Sequence, residues 1–317
     1  MKIVVAGGAG FIGSHLCEYL LTKSHEVICL DNLLTGNKKN LKNALKYKQF
    51  RFIKTDVTHK LPEDLGKIDA VFHLASPASP NLNSPISYHT LAMETMLVNT
   101  QGTLNLLNLA HSNKARFLFA SSSEVYGDPQ VNPQPESYRG NVSTTGPRSV
   151  YDEAKRFGET LTSYFVRKKN LDARIARIFN TYGPRILPQD GRMLTNFILQ
   201  ALSSKPITLY GKGEQTRSLC YVSDTVMGLT SLMFIDNLAG EIVNIGTTKE
   251  HMVKEYAKMV KELTHSNSQI VSTEKLPQDD PLVRRPDINK ASTLLNWFPK
   301  VKLPQGITET INYYRHA

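Results

Sequence analysis

The first twenty residues restrict the fold more than any other part of this chain. Lys2-Ile-Val-Val-Ala6 reads as a short buried strand, Gly7-Gly-Ala-Gly10-Phe-Ile-Gly13 as a glycine turn, and Ser14-His-Leu-Cys-Glu-Tyr-Leu-Leu21 as the body of a helix. A turn with so few side chains presents backbone N–H groups and a helix N-terminus to an anion, here a pyrophosphate. The same pattern also serves as a plain strand-to-helix connection, so on its own it settles little.

The second feature is the pair Tyr151 and Lys155. Residues four apart share a helix face. A buried ammonium beside a phenol, next to an oxidised nicotinamide, favours phenolate and lowers the tyrosine pKa. That arrangement suits removing a hydroxyl proton while a hydride leaves the same carbon. Alone the spacing is a common coincidence; placed after the glycine turn, the two features support each other.

Apolar and amphipathic stretches alternate between them. Strands are predicted over 2–6, 26–30, 50–54, 69–74, 116–120 and 172–177, and helices over 11–22, 91–112 and 151–169. Strands separated by helices predict an α/β fold with a Rossmann-type doubly wound parallel sheet, whose ligands bind at the carboxyl ends of the strands. Beyond residue 180 the pattern loosens. A helix is expected at 192–203, a strand at 207–210, and a strand-like 240–246 that returns to the main sheet. Helical 249–264 and 287–296 are assigned to a smaller C-terminal substrate-binding lobe. The expected division is 1–180, with a returning segment near 218–247, for the dinucleotide domain, and 181–317 mainly for the smaller lobe.

The 317 residues are 40% hydrophobic and 21% charged, ordinary for a globular chain of this size. The net charge of +10 is scattered, without a Lys/Arg block, so we expect a solvated surface and no nucleic-acid partner. Cys17, Cys29 and Cys220 sit in apolar segments without metal-type spacing, which predicts reduced core thiols, a cytoplasmic protein and no metal site. No signal peptide or apolar run of membrane-spanning length is evident, so no membrane partner is expected.

Asp31 ends the second strand, where a carboxylate accepts hydrogen bonds from ribose hydroxyls and repels a 2′-phosphate, favouring NAD over NADP. Asn32 follows it; Lys38 and Lys39 nearby keep a phosphate site open. Asp56-Val57 ends the third strand, placed to read an adenine edge or simply to make a turn. Leu74-Ala75-Ser76 ends the fourth and should lie against the cofactor, together with Gly7, Gly10, Phe11, Ile12 and Gly13.

Over nearly its full length the chain resembles the extended short-chain dehydrogenases/reductases that act on nucleotide sugars. More narrowly, it is similar to the UDP-glucuronate decarboxylase (UDP-xylose synthase) family. The segments that carry the resemblance are His73-Leu-Ala-Ser-Pro-Ala-Ser79, Ala120-Ser-Ser-Ser-Glu-Val-Tyr-Gly-Asp-Pro129, Tyr151-Asp-Glu-Ala-Lys155 and Arg177-Ile-Phe-Asn-Thr-Tyr-Gly-Pro184. Asp190-Gly-Arg192, Gln215-Thr-Arg217 and Asp279-Asp-Pro-Leu-Val-Arg-Arg-Pro-Asp287 add to them. Related 4,6-dehydratases carry an Asp before the Glu of the second segment, understood as the acid that expels the C6 hydroxyl. Here that position is Ser123.

The resemblance implies a catalytic set of Ser122, Glu124, Tyr151, Lys155 and Arg284. Tyr151 takes the C4 hydroxyl proton, Lys155 supports it and holds the nicotinamide ribose, and Ser122 bonds the forming carbonyl. Glu124 and Arg284 match residues proposed for decarboxylation and C5 protonation. It further implies NAD, a UDP-sugar substrate and a homodimer through the helices near 91–112 and 151–169.

For the substrate side the set is Tyr88, Asn180, Arg185, Arg192, Tyr210, Arg217 and Arg284. Read as residues only, Asn99 and Asn180 also fit caps, the arginines at 185, 192 and 217 also fit a solvated surface, and Tyr210 and Tyr221 fit either a uracil site or core. Asn99 is kept with the cofactor residues, and His73 is expected to be a core histidine. One segment departs from the family: 81–91 is about five residues longer than in animal members, and Leu97 stands where they carry a lysine. Within enzymes the competing expectation is a 4-epimerase or 4,6-dehydratase; outside them, a non-catalytic NAD-binding sensor.

Overall fold

In the computed structural model, which describes residues 1–274 and 283–316, seven parallel strands form one sheet. The amino-terminal elements are β1 (Lys2–Ala6), α1 (Phe11–Thr22), β2 (Glu26–Asp31), β3 (Phe50–Lys54) and β4 (Ala70–His73). They are followed by α2 (Ala92–Leu97), α3 (Thr103–Asn113), β5 (Arg116–Ser122), α4 (Ser149–Lys169) and β6 (Ala173–Ile178). The strand order is β11-β6-β5-β4-β1-β2-β3, with β11 (Ile242–Ile245) paired to β6 at the edge.

The buried runs explain why these strands sit inside. Ile3, Val4, Val5 and Ala6 are all fully buried, as expected where helices cover both faces of a parallel sheet. Alternate side chains point to opposite faces. Ile3 and Val5 join one core cluster with Leu16 and Leu20 of α1, whereas Val4 and Ala6 join another with Leu106 and Leu107 of α3. Each buried Val or Ile contributes about 1.5–3 kcal/mol. Consecutive strands diverge between β1 and β4, and the cleft opens at that switch point.

After β6 the chain builds the smaller lobe from β7 (Thr181–Tyr182), α5 (Met193–Leu202), β8 (Ile207–Tyr210), β9 (Thr216–Arg217) and β10 (Cys220–Tyr221). It returns to the sheet through α6 (Val222–Phe234) and β11. It then leaves again through β12 (His251–Met252), α7 (Val253–Thr264) and β13 (Ile270–Glu274), which pairs in parallel with β8. The last helices are α8 (Asn289–Leu295) and α9 (Leu303–Arg315).

The sequence misplaced one helix and missed two. The stretch 287–296, grouped with the smaller lobe, yields α8, which packs instead on β11 and α6 of the main sheet. Trp297 anchors it there, donating Nε1–H to the Asp224 carbonyl at 3.0 Å. Helix α6 escaped notice because it is apolar nearly all round and lacks the polar face that periodicity detects. In α9, Gly306 disguises the pattern; a Cβ there would come within 2.2 Å of Tyr182 Oη. The expected continuous helix over 91–112 is broken by one π-helical turn, Val98–Gly102, between α2 and α3. Such turns often mark functional positions.

Candidate active site

The glycine turn positions the first wall. Gly7 ends β1 at φ +80°, where a Cβ would meet Ala75 N at 2.6 Å, and a Cβ on Gly13 would meet Gly7 O at 2.1 Å. Only glycine lets α1 start so close to the sheet. A cleft of about 620 Å³ opens above this turn, and Gly7, Gly10, Phe11, Ile12 and Gly13 all line it. Leu74 and Ser76 from the end of β4 line it too.

Asp31 is buried and does not line the cleft. Its Oδ2 accepts from Ala9 N (2.9 Å) and its Oδ1 from Leu33 N (2.8 Å), so it braces the glycine turn. Burial raises its pKa despite those bonds. Asn32 donates to Asp56 Oδ2 at 2.9 Å, and Asp56 Oδ1 accepts from Thr58 N. Asp56 thus makes the turn that was one of its two expected readings, and Val57 is buried beside it. Ala75 packs over Gly7 rather than facing the cleft. Asn99 lies in the π-turn, its amide donating to Ser76 Oγ (2.9 Å) and Thr95 O (2.8 Å), with Oδ1 buried and unpartnered. The open glycine cradle, the acid behind it and this orphaned amide oxygen fit a dinucleotide.

Helix α4 supplies the second wall. Tyr151, Lys155, Ser122 and Glu124 all line the cleft. The Lys155 ammonium donates to the Ala120 carbonyl at 2.8 Å and sits 5.6 Å from the Tyr151 ring centroid. Burial pushes Lys155 down to about 7 and Tyr151 up to about 12, with Ser122 hydrogen-bonding Tyr151 in the opposite sense. Desolvation therefore sets the Tyr151 phenol above its ordinary value, rather than below it as expected from the pairing with Lys155. Positive charge brought to the phenol is needed to lower it.

Glu124 is gripped by two arginines. Arg148 Nη2 and Arg284 Nη1 each bond one of its oxygens, and Arg284 Nη2 adds a bond to Oε2 at 3.0 Å. Burial pushes this carboxyl up, but Arg148 and Arg284 outweigh it and hold it down at about 2. It carries no proton at neutral pH. Arg284 was expected in the substrate set; it stands behind Glu124 and reaches the cleft only through that carboxylate. Arg148, which the sequence did not single out, lines the cleft. Its place at the N-terminus of α4, three residues before Tyr151, was the available signal.

The long loop closes the cleft. Tyr88 is 1% exposed and stacks on Tyr151 with ring centroids 4.8 Å apart and planes 16° apart. Its hydroxyl has no hydrogen-bond partner. Asn81, Leu82 and Ile86 also line the cleft. Leu97, by contrast, is 45% exposed on α2 and is not among the lining residues.

The smaller lobe contributes Asn180, Arg185, Arg192, Tyr210 and Arg217. Arg185 Nη2 donates to both Glu18 carboxylate oxygens (2.9 and 2.7 Å), and Arg192 Nε lies 3.0 Å from Asp190 Oδ1. Arg217 is buried. Tyr221 instead belongs to the core, donating to Glu309 at 2.6 Å. His73 is fully buried, bonded through Nε2 to Val98 O and Thr103 Oγ1, and held neutral by burial. Asp279–Leu282 of the last motif lie outside the described residues. No cluster of metal-ligating side chains occurs among those described.

Residues 3–246 match the model of the NAD dependent epimerase/dehydratase family, and the chain belongs to that family. It is 49% identical over 308 residues to UDP-glucuronic acid decarboxylase 5 of Arabidopsis thaliana, covering 97% of this chain and 87% of that one. It is 45% identical over 314 residues to UDP-glucuronic acid decarboxylase 1 of Xenopus tropicalis, covering 99% and 72%. Among solved structures it resembles UDP-glucuronic acid 4-epimerase from Bacillus cereus in complex with UDP-glucuronic acid and NAD (TM-score 0.84, 30% identity, 99% of each chain). It also resembles a dTDP-glucose 4,6-dehydratase from Streptomyces venezuelae with NAD bound (TM-score 0.88, 28% identity, 99% and 97%).

Proposed function

We propose that this protein decarboxylates UDP-glucuronate to UDP-xylose through a 4-keto sugar, with NAD recycled within each turnover. The observation that carries this reading is the buried Ser123 beside an ionised Glu124. Where the related dehydratases place an acid there is a hydroxyl, and the adjacent carboxyl has no proton to give a leaving group. The names of the relatives at 45% and 49% identity support the same choice.

Bound along the glycine turn, NAD supplies a reversible hydride acceptor for C4. Tyr151 takes the C4 hydroxyl proton and Ser122 donates to the forming carbonyl. Lys155 adds positive charge beside the phenol and holds the nicotinamide ribose. A carbonyl at C4 makes the sugar a β-keto acid. When the C5–C6 bond breaks and CO2 leaves, the electron pair passes to the C4 oxygen, where the same donors stabilise it. Asp31, Asn32, Asp56 and Val57 serve the adenosine end, Asp31 partly by fixing the turn. Asn180, Arg185, Arg192 and Arg217 form the diphosphate site, since guanidinium forks match paired phosphates. Tyr210 borders the uracil, and Tyr88 the sugar.

Mass spectrometry after incubation with UDP-glucuronate, UDP-glucose and dTDP-glucose tests this. A UDP-pentose and CO2 should appear from UDP-glucuronate alone. A 4-keto-6-deoxy sugar formed without CO2 overturns it. A second reading, 4-epimerisation of UDP-glucuronate, is favoured by the likeness to the Bacillus cereus epimerase; it conserves substrate mass and releases no CO2.

The exposed apolar stripes of α2 and α4 support a homodimer. Met93 and Leu97 lie four apart on α2, and Phe157 and Tyr164 lie on one face of α4, each 45% exposed or more. The three thiols, all free and buried, fit a cytoplasmic location. No described helix is long and apolar enough to cross a membrane. We assign cofactor binding to 1–180 with the return near 218–247, and most sugar-nucleotide contacts to 181–317.

A further inference from the structure

A second cavity, of about 320 Å³, lies on the far side of Glu124 from the cleft. Its rim includes the exposed residues Asp128, Asn141 and Ser143. Its floor is buried and charged: Arg148, Arg284 and Asp152 are each 9% exposed or less. Glu124 and Arg148 line both cavities and so form the partition between them, while Asp152 lines only the second. Adjacent residues on a helix point about 100° apart, which is how α4 turns Tyr151 to one chamber and Asp152 to the other. Asp152 Oδ1 is buried and has no hydrogen-bond partner.

The proposed reaction, on which this inference rests, consumes one proton per turnover. Breaking C5–C6 expels CO2 and leaves an electron pair at C5, which must become a C–H bond. The proton Tyr151 took belongs to the C4 oxygen and is returned when C4 is reduced. Glu124 holds none. A cavity that is polar and far larger than the ~30 Å³ share of one water molecule accommodates water between its rim and its floor.

We propose that the second cavity is the proton inlet of this site and that Asp152 is its relay. Asp152 passes its proton through water in the second cavity to the Glu124 carboxylate, which lines both cavities and hands it on to C5 of the enolate; Asp152 is then reprotonated by water from the rim, so that the proton consumed comes from solvent. Burial, then the negative charge of Glu124, push Asp152 up to about 8, against Arg148 and Arg284. It is therefore a protonated acid at neutral pH. The groups facing it are Glu124 from the turn after β5, Arg148 and Glu153 from the start of α4, Arg284 from the carboxyl-terminal segment, and Tyr88 from the long loop, with Asp128 at the rim.

The test is Asp152→Asn, which keeps the shape and removes the titrating proton, with Asp152→Glu as the conservative control. Single turnovers on UDP-glucuronate are followed by NADH absorbance, CO2 and UDP-pentose. In Asp152→Asn the rate should fall by about 10²-fold, the lower end for a general acid. NADH should persist after CO2 has left, because C5 must be protonated before the hydride returns to C4. Asp152→Glu should restore most of the rate. Unchanged turnover, or NADH that decays as fast as CO2 appears, overturns the relay. Loss of UDP and NAD binding in both variants, in step with turnover, also overturns it by showing a structural role. Wild-type protein that releases no CO2 from UDP-glucuronate refutes the decarboxylase reading itself, a result the variants cannot mimic.

Discussion

Replacing Arg148 by Met should cost both stability and turnover, and the structure sets the scale. The Glu124 carboxyl, 13% exposed, moves from 4.5 to about 2 on folding. At about 1.4 kcal/mol per unit, that is roughly 3 kcal/mol in favour of the charged form. The two guanidiniums supply this and also offset the burial of the carboxylate. Removing one leaves a buried charge with a single partner, so Arg148→Met should destabilise by about 2 kcal/mol at pH 7, lowering the melting temperature by roughly 4 °C. The pKa is lower in the folded state, so Glu124's contribution is complete above about 4.5 and is lost as pH falls towards 2. Urea unfolding of Arg148→Met, Glu124→Gln and the double variant gives the coupling directly. We expect at least about 1 kcal/mol between the two sites, because Glu124→Gln leaves two neighbouring cations without their counter-charge. A coupling below about 0.3 kcal/mol, or a cost at pH 3 as large as at pH 7, refutes the clamp.

Tyr151→Phe should fold and still bind UDP while losing about 10²–10⁴-fold in turnover, the range for a general acid–base group; near-full activity means the pair with Lys155 is not the base. Asp31→Ala should weaken NAD binding by freeing the Ala9 and Leu33 amides it now holds, and should narrow the preference over NADP by removing the carboxylate that repels a 2′-phosphate, as isothermal titration with both cofactors would register. Phe157→Asp should shift the protein towards monomer in light scattering after gel filtration, with the fold unchanged by circular dichroism; a persistent dimer excludes α4 from the interface.

What the sequence disclosed was local. The glycine turn, the six strand segments and the Tyr151/Lys155 pair each depend on residues close together in the chain, and fixed geometry makes them readable. The clamp on Glu124 was invisible because Arg284 is 160 residues away, and nothing in its neighbourhood says which side of the carboxylate it will take. Asp31 was identified as a cofactor residue, but its two backbone donors come from a turn whose path only the fold defines. Tyr88 was noted as part of the sugar pocket; its stacking on Tyr151 required the loop's conformation. The π-turn at Asn99 follows from packing, since Val98–Gly102 has no residue that forbids an α-helix.

The loop after β4 has a mechanical side. Ser79 and Ser84 donate their hydroxyls to the carbonyls of Asp190 and Gln189, and Asn81 donates to Gly191 O at 3.3 Å. Across the cleft, Arg185 holds Glu18 of α1, and a neutral His15 meets Pro184 O at 3.1 Å. The two lobes are thus riveted at both rims. A hinge motion wide enough to release a dinucleotide would have to shear one of these seams. An enzyme that returns its hydride every cycle has no use for cofactor exchange, and a frame pinned at both rims suits such a cycle.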